Sequence, residues 1–415
     1  MNWNAYTKAL LSGNYVGLSR LRFLNPDGTT AFSLDNDPYN RRSGAFIRSG
    51  AISVNLQNGT RRTAEITVAN ADGEYDYKIN RVWFGTEIAI DVGISVPGGD
   101  EIYFPQGVFR IPKATEAVVH NGNTVHYSLT DKWAGLDGTL NGALETSYAV
   151  LAGTNIFSPI AALLQTDRGN GEPLDNVAPV FTEYYNGKTQ ALPGGGTANL
   201  TDTPYDYYAD GDSDTAATVI LALCGMLSAW VGYDPTGRLR IDPSQDDLLD
   251  SDKPVSWRFS VDEAQLLGNL QYESGITDVC NDYIVTGYMT KDYVQPAARA
   301  VNLDPTSPVN VNLIGRKTIR DPQPNFATAR MCADFAEWKV KRSAALRKTV
   351  SISAVRLPHL AENTLVEIVR TDKAGSPLER HLVQGFTLPL SGTEPMTIQA
   401  VSVNDFPSIT VYTNE

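Results

Sequence analysis

Apolar and polar residues alternate with a period of two through both ends of this chain, and that rhythm leaves few folds open. In "GAISVNLQNGTRRTAEITVANADGEYD", Ile52, Val54 and Leu56 fall on one side of a first run, and Ala64, Ile66 and Val68 repeat the pattern in a second. The Asn58-Gly59 pair between them suits the corner of a hairpin. Ile88, Ile90, Val92 and Ile94 keep the same beat, as do Val125, Tyr127 and Leu129 after Asn121-Gly122. Residues 1–140 hold at least six such runs with no helix between them, which predicts an antiparallel sandwich or barrel.

From 141 to 254 the period changes. Ile156, Ile160, Leu163 and Leu164 recur at helical spacing, with Pro159 tolerable in a first turn. "SDTAATVILALCGMLSAWVG" predicts a helix buried on two sides: Val219, Leu223, Met226 and Trp230 form one stripe, Ile220, Cys224 and Leu227 another. Ser213 or Asp212 would cap it and Gly232 would end it. "GYDPTGRLRIDP" then reads as a hairpin with a type I turn over Asp234–Gly237. Residues 255–415 return to strands, interrupted by one helix, "NFATARMCADFAEWKVKRSAAL", capped by Asn325, with Ala329, Cys332, Ala333, Ala336 and Val340 on its apolar face. The fold class is mainly β with a smaller α/β part.

Length and charge narrow the function. The 415 residues have room for several domains, and the net charge of −13 argues against a protein that grips nucleic-acid phosphates. The three cysteines, Cys224, Cys280 and Cys332, are odd in number and far apart, which suits reduced, buried thiols. "MNWNAYTKALLSGNY" shows no signal peptide, and the longest apolar stretch, 219–231, is too short to span a bilayer.

Candidate chemistry is sparse. Asp210, Asp212 and Asp214 imitate the start of a calcium loop, but Thr215 stands where its glycine belongs and Leu221 where its glutamate belongs. Capping of the next helix is the better reading. His120 and His126 flank Asn121-Gly122; if Val119 pairs with Thr124, the two rings lie on opposite faces and cannot share a metal. His359 and His381 stand alone, and Gly194-Gly195-Gly196 lacks the lysine of a phosphate loop. Arg238 and Arg240 read as the solvent face of a strand. Tyr184, Tyr185, Tyr205, Tyr207 and Tyr208 could stack on sugar rings or pack their loops down. No catalytic, cofactor-binding or metal-ligating set stands out.

Six segments carry a resemblance: "RRTAEITVANADGEYD", "FPQGVFRIP", "YSLTDKWAGLDGTLNG", "GTNIFSPIAALLQTDRGN", "LSAWVGYDPTGRLRIDP" and "HLVQGFTLPLSGTEPMTIQAVSV". In this order they resemble the tail hub (baseplate hub) proteins of long-tailed bacteriophages and prophage-derived tails. The resemblance implies two tail-tube-like antiparallel β-barrels, 1–140 and 255–415, flanking an α/β decorating module, 141–254. It implies a homotrimer that presents six barrels to a six-fold tail tube or distal tail protein and three-fold symmetry to a spike or fibre. A tape measure protein is a further implied neighbour, and DNA would pass through the lumen without specific binding. The chain would be non-enzymatic, without cofactor or metal, and would sit in the virion tail tip after assembly in the host cytoplasm. The alternative reading is a carbohydrate-binding adhesin or cell-wall-degrading tail lysin, although no lysozyme-like or peptidase-like extension is visible.

Overall fold

A computed structural model describes residues 3–36, 45–70, 73–76, 82, 83, 85–96, 101–119, 122–192, 196–243, 253–263, 267–273, 279–289, 294–344, 349–403 and 406–414. The first segment opens with helix α1 (Trp3–Ser12), which the strand-rich reading missed. It continues through β1 (Val16–Leu24), β2 (Thr30–Asp35), β3 (Ala45–Asn55), β4 (Arg62–Asn70), β5 (Glu87–Ser95), β6 (Glu101–Val119) and β7 (Gly122–Asp131). The middle segment holds β8 (Tyr148–Val150), α2 (Phe157–Leu164), β9 (Val180–Phe181), β10 (Thr189–Ala191), β11 (Thr197–Asn199), β12 (Tyr207–Ala209), α3 (Ala216–Met226), β13 (Ala229–Tyr233) and β14 (Leu239–Pro243). The last adds β15 (Val255–Ser260), β16 (Leu267–Glu273), β17 (Asp282–Thr286), β18 (Ala297–Asn302), α4 (Val311–Ile314), β19 (Thr318–Pro322) and α5 (Ala329–Ala344). Strands β20 (Thr349–Ala354), β21 (Leu365–Val369), β22 (Leu378–Pro389), β23 (Met396–Ser402) and β24 (Ile409–Thr413) complete it.

One sheet of thirteen strands runs through both outer segments, in the order β16-β20-β23-β22-β3-β4-β7-β6-β5-β1-β2, with β21 and β15 branching from β22. Mainly β character with a smaller α/β part is therefore what the chain adopts. Among the described residues the pairings form an open path, with no closed ring in either outer segment. The two segments meet where β22 pairs antiparallel with β3, Phe386 opposite Val54 and Leu388 opposite Ile52. All four of these side chains are buried, in a core that also takes Ile66, Val68 and Tyr127 from the first segment and Ile352, Val366 and Ile398 from the last. Burying one such side chain stabilises by about 1.5–3 kcal/mol, so the seam is held by its core face as well as by its backbone.

The expected alternation holds along β4, whose residues 62–70 are buried at every second position. The hairpin corners differ from the sequence reading in two places. Asn58-Gly59 lies within a longer loop, because β3 and β4 stop pairing at Val54 and Arg62. The pair docks on β13 instead: the Gly59 amide donates to the Val231 carbonyl at 3.0 Å, and Asn58 Oδ1 accepts from the Val231 amide at 2.9 Å. In the second hairpin Val119 pairs with Gly122 rather than Thr124, which moves the closing pair one residue earlier on each strand and shifts the expected register by two. His120 lies outside the described residues.

The middle segment is the α/β module its periodicity predicts, with α2 and α3 packed against the three-stranded sheet β13-β14-β9. Val219, Ile220, Leu223, Cys224 and Met226 are all buried. Helix α3 is shorter than expected. Thr215, not Ser213 or Asp212, caps it through a reciprocal bond pair with Thr218, and the chain turns at Ser228 with φ +51°. Trp230 and Gly232 thus belong to β13. The turn at 234–237 forms as read: Gly237 donates to the Asp234 carbonyl at 3.0 Å, and Asp234 Oδ1 accepts from the Thr236 and Arg238 amides.

The last segment divides in a way its strand pattern does not show. Strands β17, β18, β19 and β24 form a separate four-stranded sheet, order β19-β17-β18-β24, and α5 covers one face of it. Ala329, Cys332, Ala336 and Val340 are buried there as expected. Thr328 rather than Asn325 caps the helix, accepting from the Met331 amide at 3.2 Å.

The seam leaves no space beside Gly385, where an added Cβ would lie 2.4 Å from the Val54 carbonyl oxygen. Gly385→Val is expected to destabilise by about 3 kcal/mol. Gly268→Ala, whose new carbon meets nothing closer than 3.4 Å, should be near neutral. Urea denaturation of the two variants checks both values.

Candidate functional site

The residues singled out by sequence do not converge. Asp212 donates its amide to Asp210 Oδ1 at 3.0 Å, and Asp210 donates its own to Asp214 Oδ2 at 2.8 Å, so these carboxylates order a turn. Among the described residues no group of three or more His, Cys, Asp or Glu is arranged to hold a metal. His126 sits at the surface, 2.7 Å from Glu65 Oε2 and 3.2 Å from the Thr67 hydroxyl. His359 is half-buried, its Nδ1 2.9 Å from the Tyr6 hydroxyl. His381 is buried 3.5 Å from Glu379. Gly194 and Gly195 lie outside the described residues.

Arg240 pairs with Asp242 at 2.6 Å, and Arg238 Nε donates to the Thr236 hydroxyl at 3.2 Å. Both are local contacts on a solvent-facing strand. The tyrosines are scattered. Tyr185 is buried, and the Lys188 ammonium lies over the Tyr184 ring at 3.0 Å. Tyr205 stacks on Tyr288 at 4.3 Å, and Tyr208 is exposed. The three cysteines are unpaired and buried, and burial pushes the Cys332 thiol up to about 11, which removes its thiolate at neutral pH.

The side chains that do converge are ones the sequence reading passed over. At the start of β4 and the end of β7, Asp131 is fully buried and accepts three backbone N–H groups. Oδ2 takes those of Arg61 at 2.8 Å and Arg62 at 3.0 Å, and Oδ1 takes that of Trp133 at 3.1 Å. Arg62, itself buried, reaches across to Glu362 of the last segment and donates to the Gln106 carbonyl at 3.0 Å. Arg61 lies 3.8 Å from the same glutamate. Next to them Lys132 is buried against Asp175 of the middle module, whose other oxygen accepts from the Tyr233 hydroxyl at 2.8 Å. Lys132 also donates to the Gly237 carbonyl at 3.3 Å, and so fixes the 234–237 turn from below.

These buried ions join all three segments. Their geometry fits a structural role: Arg62 meets Glu362, Lys132 meets Asp175, and Asp131 is held by three backbone amides. The local sequence offers no sign of it, because an arginine opening a strand ordinarily faces water. The clue lay in long-range pairing.

Burial sets the titration of two groups here. It raises the Asp131 carboxyl from its usual value to about 6, against the pull of the three N–H donors. It lowers the His359 imidazole to about 4.

No protein-family model matches the sequence, and no curated protein matches it. Solved structures do. The tail protein from Neisseria meningitidis MC58 superposes with a TM-score of 0.55 at 11% identity, over 94% of this chain and 96% of that one. The 43 kDa tail protein of prophage MuSo2 from Shewanella oneidensis gives 0.50 at 12%, over 92% and 98%. Prophage tail protein gp18 from Listeria monocytogenes EGD-e gives 0.50 at 9%, over 95% of each chain. The chain has the fold of phage and prophage tail proteins along nearly its whole length.

Removing one member of the junction should leave a buried charge unmatched. Glu362→Ala is expected to cost about 3–5 kcal/mol in denaturant unfolding, and Arg62→Met with Glu362→Leu to recover part of that loss. The His359 proton gives a second prediction. Its folded value lies below its unfolded 6.5, so its contribution is complete above pH 6.5 and is lost as pH falls toward 4. Asp131 acts oppositely, its contribution complete below its unfolded 3.8 and lost as pH rises through 6. Comparing wild type with His359→Gln cancels the Asp131 effect. Between pH 6.5 and 5 the wild type should lose about 2 kcal/mol more than the variant in denaturant titrations.

Proposed function

We propose that this chain is a structural hub of a bacteriophage tail tip. Three copies form a ring that meets a six-fold tube or distal tail protein on one side and a three-fold spike or fibre on the other. The observation that carries this reading is the likeness to tail proteins over 94% of the chain. In the proposal, segments 1–140 and 255–415 supply two tube-like units per chain and 141–254 decorates them. The β3–β22 seam supports that division of labour, since it holds two β units side by side within one chain.

Two further features favour assembly. Strands β2, β15 and β16 each pair on one side only among the described residues, and bare edges of this kind are stable when another chain covers them. The net charge of −13 suits a channel wall that repels DNA and lets it slide. The role we infer is structural rather than enzymatic, and it is favoured by tyrosines that are mostly engaged within the fold instead of being laid out for sugar stacking. The protein would act in the virion tail, assembled beforehand in the host cytoplasm, with the tape measure protein as a further neighbour.

Native mass spectrometry of the purified chain should give three times the monomer mass. A strict monomer at assembly concentrations would overturn the hub reading, and six copies would redirect it to a tube or distal-tail protein.

A further inference from the structure

The four-stranded sheet covered by α5, with its flanking loops, is rich in exposed apolar side chains. Six of the fourteen large apolar side chains that stand exposed among the described residues belong to this unit: Met289, Val294, Leu303, Leu313, Ile319 and Tyr412. Strand β19 is its edge, paired only with β17. Register puts Arg320 in line with Ile284, Arg299 and Tyr412 across the sheet. Arg299 is committed to Asp282, with two bonds of 2.7 and 2.8 Å, and Arg316 approaches the same carboxylate at 3.6 Å. Arg320 is exposed and makes no ion pair among the described residues. The edge therefore offers Leu313 (67% exposed) and Ile319 (45% exposed) beside Arg316 and Arg320. Apolar side chains next to arginine are what a protein–protein interface enriches.

A surface of matching kind and opposite sign lies on the middle module. Between Lys188 and Arg238 the sequence has no basic residue and six aspartates. Asp206, Asp210 and Asp212 are exposed there, and no cation pairs with them among the described residues. The ribbon of β8 and β12 that carries them also presents Tyr208 (67% exposed) and Leu151 (61% exposed). One surface is apolar with arginines; the other is apolar with aspartates.

We infer that the β19 edge of one copy docks on the Asp206–Asp212 ribbon of a second copy of this chain. Two different patches meeting head to tail generate a ring when the rotation closes, which is the contact a three-copy ring requires. This inference rests on the hub reading and names the interface within it. Charge matching at such a contact sets register and speeds encounter, and the contact weakens as salt screens it.

Charge reversal tests it. Arg316→Glu with Arg320→Glu should weaken assembly by about tenfold or more in mass photometry across a dilution series, a change of about 1.4 kcal/mol. Asp206→Lys with Asp212→Lys should do the same, and mixing the two variants in equal amounts should restore assembly through the swapped pair. In a second measurement, Ile319→Cys with Tyr208→Cys should give covalent multimers on mild oxidation, with little background because the native cysteines are buried. Reversed variants that assemble like wild type, together with a cysteine pair that yields only monomer, would overturn the interface while leaving the trimer standing. A wild type that never assembles would instead overturn the hub reading itself.

Discussion

The pairing of β3 with β22 is the constraint on which the remainder of this fold depends. Residues 51–55 and 385–389 are more than three hundred positions apart in sequence, yet they share one register and one core. Without that pairing the long sheet would fall into two smaller ones, each with a further bare edge and half an apolar face exposed. The buried junction lies beside it. Arg62 and Glu362 face each other because the seam brings β4 and the approach to β21 together, and their mutual neutralisation is possible only in that arrangement. A buried ion pair adds little net stability over an apolar substitute, but a misaligned seam would leave Arg62 and Glu362 as unpaired buried charges.

Strand β6 extends the same logic. Its first half pairs with β5 and its second with β7, with a register shift between Arg110 and Lys113. One strand is thus shared by two partners, and each pairing carries an irregularity, at Ile90/Asp91 with β5 and at Arg110/Lys113 with β7. The middle module attaches at this end of the sheet through Lys132–Asp175 and through Arg110, which donates to Glu87 and to the Leu174 carbonyl. Middle module and sheet are therefore fastened by charged groups with defined directions.

Much of this was legible in sequence, and the part that was not has a common cause. Period-two runs such as Ala64/Ile66/Val68 specify a strand and its buried face because both depend on neighbours within a few residues. The two-sided burial of α3 and the Asp234–Gly237 turn follow from local pattern in the same way. Which strands lie side by side depends on residues hundreds of positions away, and so do the roles of Arg62, Asp131 and Glu362. The boundary errors arise between these limits. Asn121-Gly122 gave a plausible corner, yet the strands closed one residue earlier because pairing with β4 fixes β7 from its other side. Helix α1 was hidden in a short N-terminal stretch whose apolar residues, Tyr6, Ala9 and Leu10, become meaningful only once the sheet is there to receive them.

The wide separation of β3 and β22 in sequence has a bearing on synthesis. A ribosome that has made the first 380 residues holds β1 to β7 in its emerging product with the free side of β3 still waiting. The strand that completes it leaves the exit tunnel more than three hundred residues after β3. Through that interval the first strands must stay unaggregated with an edge uncovered, and the seam closes only when β22 emerges.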